Sequence, residues 1–170
     1  MKITNEILKE KGACSEGVEW FSLKFPTGEE YQNVLNALAE DDKDTWAIWL
    51  LHSMGKTTDI FKADEINTEK SFFFSGSVIV RGNIKCRSIK AGLGIKAGEG
   101  IEAGWGIEAG EGIEAGRGIE AGEGIKAGDD FEIFAGLSVR LSQKSELAIV
   151  TAETKPKNLA SGYWVSKEKK

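Results

Sequence analysis

From Ile89 to Asp130 the chain spells one hydrophobic–polar pattern seven times: IKAGLG, IKAGEG, IEAGWG, IEAGEG, IEAGRG, IEAGEG, IKAGDD. In each unit Ile and Ala flank one charged residue. A strand therefore sends both apolar side chains to one side and the charge to the other. Gly-x-Gly follows, and glycine's tolerance of positive φ reads as a turn. Three strand residues and three turn residues make one side of a coil, which buries almost nothing alone. Stacked coils bury a column of Ile on Ile and Ala on Ala. The frame extends upstream through Val78-Ile79-Val80 and, with one residue deleted, Ile84-Lys85-Cys86. Downstream, Phe131-Glu132-Ile133 and Leu137-Ser138-Val139 keep the period.

The charges favour three sides per coil. Residues 18 apart then stack, which sets Lys90 on Glu108, Glu108 on Lys126 and Glu99 on Arg117. Lys96, Glu114 and Glu132 stack with one favourable contact, and Glu102 on Glu120 is unfavourable. A two-sided coil yields more like-charge stacks. The predicted solenoid has three to four coils between residues 78 and 142, entered by a strand at Phe72-Phe73-Phe74 and followed by one at 147–151.

Before the repeat the pattern turns helical. Asn5 to Lys11 reads as a helix with Thr4 or Asn5 as N-cap and Gly12 as its stop. Ser15 caps a second, through Lys24, ended by Pro26. Thr27-Gly-Glu-Glu30 reads as a capping box that opens a third helix to Ala39. An Asp at 41, 42 or 44 opens a fourth, through His52 to the stop at Gly55. The expected fold is α+β: a small helical bundle, then a three-sided β-solenoid. The expected divisions are 1–70 for the helical module, 71–142 for the solenoid, and 143–170 for a last strand and a basic tail.

Composition narrows the function classes. With 170 residues, 21 Gly and only 2 Pro, the chain has room for a core and no collagen-like or Pro-rich character. Two Cys and one His exclude a disulfide framework and argue against an all-protein zinc site, so no metal or cofactor is expected. No apolar run spans a bilayer and no signal segment opens the chain, so a cytoplasmic protein without a membrane role is expected. The net charge of −5 conceals an asymmetry. Residues 1–66 and 88–135 each balance to −6, whereas the remainder is basic. Acidic surfaces repel nucleic acid and suit basic protein partners, so direct nucleic-acid binding is not expected.

The repeat resembles the hexapeptide left-handed β-helix of acyltransferases. There, however, the small residue lies two before the aliphatic one, whereas here Ala lies two after Ile, and the repeat holds no catalytic His. A closer resemblance runs through Gly12-Ala13-Cys14-Ser15-Glu16, Trp20-Phe21, Phe25-Pro26, Trp46-Ala47, Leu50-Leu51 and, after the repeat, Phe134-Ala135-Gly136-Leu137. These segments are similar to uncharacterised bacterial and prophage proteins in which a helical leader precedes pentapeptide or GIxAG repeats. That resemblance implies the architecture and a mobile-element origin. Pentapeptide-repeat proteins are also known for mimicking nucleic acid with ordered acidic groups.

Little catalytic chemistry is written in the residues. Gly55-Lys56-Thr57 lacks the first Gly and the strand of a phosphate loop. Cys14 and His52 are the one conceivable nucleophile–base pair, and Cys86 sits at an inward Ala position. The candidate binding residues are Trp105, the lone aromatic in the turn row, with Glu102, Glu108, Glu111, Glu114, Glu120 and Glu123. An exposed Trp near Arg has the composition of a binding hot spot. The favoured expectation is a non-enzymatic binding protein, a phage or mobile-element inhibitor of host defence, whose protein partner carries a basic, nucleic-acid-binding surface. The alternative is a structural module that self-assembles into homo-oligomers through its solenoid ends. An acyltransferase-like enzyme comes third.

Overall fold

The computed structural model describes residues 1–167 and divides into two compact units, Met1–Gly55 and Lys56–Lys170. The basic tail at 168–170 lies outside the described residues.

The first unit contains four helices: α1 (Asn5–Glu10), α2 (Ser15–Lys24), α3 (Tyr31–Glu40) and α4 (Asp44–Met54). Thr4 caps α1, its hydroxyl accepting from the Ile7 N–H, and Gly12 follows at φ +80°. In α3 the buried residues Tyr31, Val34, Leu35, Leu38 and Ala39 recur at helical spacing, so one stripe faces the core. The capping box does not form. Glu29–Glu30 is instead a short strand, antiparallel to Lys2–Ile3, and Glu30 precedes α3 without a side-chain cap. Gly28 turns the chain at φ +80°, and the Tyr31 N–H donates to the Met1 carbonyl. Glu29 ties the helix start, its carboxylate accepting from the Glu30 N–H and from Asn33. Cys14, rather than Ser15, stands at the head of α2.

The second unit is a three-sided parallel β-solenoid. Its faces carry six, four and six strands, so the stack runs to about six turns. Face one includes Ile84–Cys86, Ile101–Ala103 and Ile119–Ala121. Face two includes Phe72–Phe74, Ile89–Ala91 and Ile107–Ala109. Face three includes Ile95–Ala97 and Ile113–Ala115. Ile107 pairs with Ile89 and Ile125, and Ile101 with Ile119, so the column of stacked Ile forms as expected.

Three to four coils was too few because the coil outlasts its motif. Ile60–Ala63 and Ile66–Asn67 add strands upstream; Ile149–Ala152, Leu159–Ser161 and Tyr163–Ser166 add them downstream. The expected boundaries at 70/71 and 142/143 therefore both fall inside this unit. In the first turn, aromatic rings take the place of Ile: Phe61 lies 5.0 Å from Phe72 and 5.8 Å from Phe74.

Register also departs from a constant 18. Ile84 pairs with Ile101, and Ile113 with Ile133. The first coil is one residue short, at Arg87-Ser88. The second is two residues long, at Asp129-Asp130. Phe131 is consequently exposed, Ile133 points inward, and Glu114 stacks on Phe134 rather than Glu132. Leu137-Ser138-Val139 forms a turn rather than a strand, although the Leu137 and Ser138 N–H groups still donate to the Ala115 and Gly116 carbonyls. Leu147 ends a short helix, α5 (Lys144–Leu147), so the strand expected from 147 begins at Ile149.

The repeat glycines are not there for positive φ. Left-handed glycines are Gly12, Gly28, Gly55, Gly136 and Gly162, none of them in the IxAGxG units. Close approach is the reason at the first glycine of each unit, whereas a Cβ at the second would meet nothing nearer than 3.3 Å at Gly94, Gly100, Gly106 and Gly112. At Gly116 a Cβ would come within 3.0 Å of the Gly98 carbonyl in the preceding coil, and at Gly122 the same holds against Gly104. Among these first glycines Gly104 is the exception, at 3.5 Å from the Arg87 carbonyl, because the shortened corner beneath it leaves room.

Cys86 occupies the inward column opposite Ala103, as its Ala position suggested, and burial pushes its thiol from the ordinary 9.0 up to about 12. Its folded value lies above the unfolded one, so its contribution is whole below pH 9.0 and is lost as pH rises toward 12. Cys86→Ala restores the repeat's own residue. Thermal melts from pH 8 upward are expected to show a shallower alkaline decline for this variant than for wild type. Equal slopes would count against the assignment.

Candidate functional site

The corner between faces one and two carries the most distinctive surface of the solenoid. Arg87, Trp105 and Glu123 stack there in successive coils. The Trp105 N–H donates to the Arg87 carbonyl at 2.7 Å, and the Trp105 carbonyl accepts from the Glu123 N–H at 2.7 Å. Stacked corners follow from the parallel ladder, since each turn repeats the hydrogen bonding of the strands beside it. The Trp105 side chain is 51% exposed. The Arg87 guanidinium lies 5.1 Å from its ring, a cation–π arrangement, and Arg87 Nε donates to Ser71 Oγ at 3.2 Å. An aromatic ring in water is thus held in place by a cation that is itself tethered.

The acidic candidates spread over three faces. Glu102 and Glu120 lie on face one and Glu108 on face two, on either side of the Trp105 corner. Glu123 belongs to the corner itself and is exposed. Glu114 lies on face three, and Glu111 on the corner between faces two and three. The structure therefore gathers Trp105, Glu102, Glu108, Glu120 and Glu123 around one edge and sets Glu111 and Glu114 apart.

Most of these carboxylates are paired. Glu108 lies 2.8 Å from Lys90 and 4.0 Å from Lys126; Glu114 is 2.8 Å from Lys96, and Arg117 is 2.7 Å from Glu99. These ladders are the ones that the three-sided arrangement called for. The like-charge step between Glu102 and Glu120 also occurs, and each finds relief: Lys85 lies 3.0 Å from Glu102 and Lys167 2.9 Å from Glu120. The hydrogen bond to Glu102, reinforced by its charge, raises the Lys85 pKa. Glu111 meets Lys56 at 3.3 Å. A continuous phosphate-like row of free charge is therefore not what the faces present.

Arg87 was not among the candidates from sequence. Its signal was the one-residue deletion, which moves a basic residue into the turn row beneath Trp105. Cys14 is exposed at the head of α2 and His52 lies in the last turn of α4. Among the described residues no group of three or more His, Cys, Asp or Glu could hold a metal ion. No helix among them is long and apolar enough to cross a membrane.

Together these features define a β-solenoid protein with a separate N-terminal helical unit. Residues 1–57 match the family model of the YdhT N-terminal domain, a description that names no activity. The match covers about a third of the chain and ends two residues beyond Gly55, the last residue of the helical unit. No curated protein and no solved structure matches the chain at significance.

Proposed function

We propose that this is a non-enzymatic binding protein that recognises a protein partner through the Arg87–Trp105–Glu123 ridge. The observation that carries the reading is Trp105, half in water on an otherwise small or charged corner, with its ring fixed by Arg87. Trp and Arg are the residue types that dominate binding hot spots, and a pre-positioned ring loses little entropy on docking. The carboxylates lie on open, ion-paired faces rather than in a cleft, which favours recognition over acid–base work. Glu102, Glu108 and Glu120 flank the ridge and give it an acidic rim. A basic face on the partner, such as a nucleic-acid-binding surface, complements that rim, and inhibition of a host defence protein is the biological setting we favour.

The test is capture of partners from host lysate on immobilised protein, with Trp105→Ala as the parallel bait, followed by surface plasmon resonance at two salt concentrations. Trp105→Ala is expected to speed dissociation and cost on the order of 2 kcal/mol. Glu102, Glu120 and Glu123 changed together to Lys are expected to slow association and flatten its salt dependence. Wild-type rates for both variants would move recognition off this ridge.

A further inference from the structure

Within the helical unit, the four helices leave an apolar cavity of about 250 Å³ that opens to solvent on one side, lined wholly by residues of 1–55. Leu8, Val34 and Leu50 line it as buried residues, and Trp20, Trp46 and Trp49 line it half-buried. The Trp20 and Trp46 rings meet edge-on at 6.2 Å. Trp20 Nε1–H donates to Asp41 at 2.8 Å, and Lys24 reaches the same carboxylate at 2.7 Å, which holds the ring in its orientation. Gly17 of α2 also lines the space, and a Cβ there would meet Cys14 Sγ at 3.3 Å. No Asp, Glu, Lys, Arg or His lines the cavity; the titratable group on its wall is the Cys14 thiol.

We propose that this cavity is a binding site for an uncharged aromatic molecule of about two fused rings. Apolar cavities of about 150 Å³ admit benzene, so 250 Å³ leaves room for a second ring. A charged ligand would give up its hydration with no partner in return. Indole edges and faces on the walls favour a planar aromatic guest through offset and edge-on contacts. The cavity is formed by the helical unit alone, so this inference is independent of the ridge on the solenoid.

The chain contains five Trp, of which Trp105 and Trp164 lie on the solenoid and serve as internal references. Indole is the probe, titrated into ¹⁵N-labelled protein while the five Trp side-chain N–H signals are followed by NMR. The signals of Trp20, Trp46 and Trp49 are expected to shift to saturation while those of Trp105 and Trp164 hold. Indole-3-acetate, the same ring with a carboxylate, is expected to bind at least tenfold more weakly. Gly17→Leu, which fills the cavity, is expected to abolish the shifts with helical circular dichroism unchanged. Absence of saturable shifts in the wild type overturns the proposal, as do equal shifts at all five Trp or undiminished binding in a folded Gly17→Leu. If that variant does not fold, alkylation of Cys14 in the wild type decides. Saturating indole is expected to slow it at least threefold, and an unchanged rate overturns the proposal; Cys86 is buried and does not compete.

Discussion

Ile107→Asp is expected to unfold the solenoid. Ile107 is 1% exposed in the middle of the inward column, between Ile89 and Ile125. The substitution removes a side chain whose burial contributes about 1.5–3 kcal/mol and puts a carboxylate among hydrocarbon with no cation on that side. A loss on the order of 5 kcal/mol follows, comparable to the whole stability of many domains. Because each coil rests on its neighbours, the loss spreads along the stack rather than staying in one strand. Glu120→Gln, on the solvent side of face one, is the control and is expected to change stability by less than about 1 kcal/mol. Circular dichroism melts of the two variants measure the contrast. An Ile107→Asp protein that melts like wild type would mean that the inward column is wrongly placed.

Gly116→Ala should also be clearly destabilising, although it adds only a methyl group. A Cβ at Gly116 runs into the Gly98 carbonyl, which is backbone in a paired ladder and cannot step aside. Overpacking of this kind costs about 1–3 kcal/mol, and the upper end is expected where the obstacle is backbone. Gly104→Ala is the discriminating comparison. It holds the same place in its own unit, yet meets the Arg87 carbonyl at 3.5 Å, an ordinary contact. Gly104→Ala is therefore expected to be close to neutral. If positive φ were what the repeat required, both variants would be equally destabilised, so denaturant midpoints for the pair separate the two explanations.

The solenoid was legible because its signal is periodic and redundant. Ile and Ala at fixed places, with a charge between them, leave one way to bury the apolar set, and the Lys90–Glu108 and Glu99–Arg117 spacings select three sides. What escaped was everything aperiodic. Phe61, Phe72 and Phe74 serve the same inward column as Ile but do not spell the repeat, so the early coils could not be counted. Asp129-Asp130 lengthens a corner by two residues, and that shift alone exchanges Phe131 for Ile133 in the core. The failed capping box has a non-local cause. Lys2–Ile3, far along the chain, pairs with Glu29–Glu30, and a ladder to a distant strand outcompetes a local side-chain cap. Trp105 was readable as a singular residue, but its anchor Arg87 was not, since contact between them depends on coil length rather than on sequence neighbourhood.

The sameness of the units carries a consequence for how the chain finds its fold. Seven nearly identical units give a hydrophobic column that scores almost equally well if one strand slips by a whole unit, so burial alone leaves competing alignments close in energy. What breaks the tie is the irregular matter. Slippage would break up the ion-pair ladders, and would carry the shortened corner at Arg87-Ser88 and the lengthened one at Asp129-Asp130 out of place. These two corners bracket the degenerate stretch like end stops. The residues that look like lapses in the repeat thus tell identical rungs apart, and a more perfectly repetitive chain would know its own register less well.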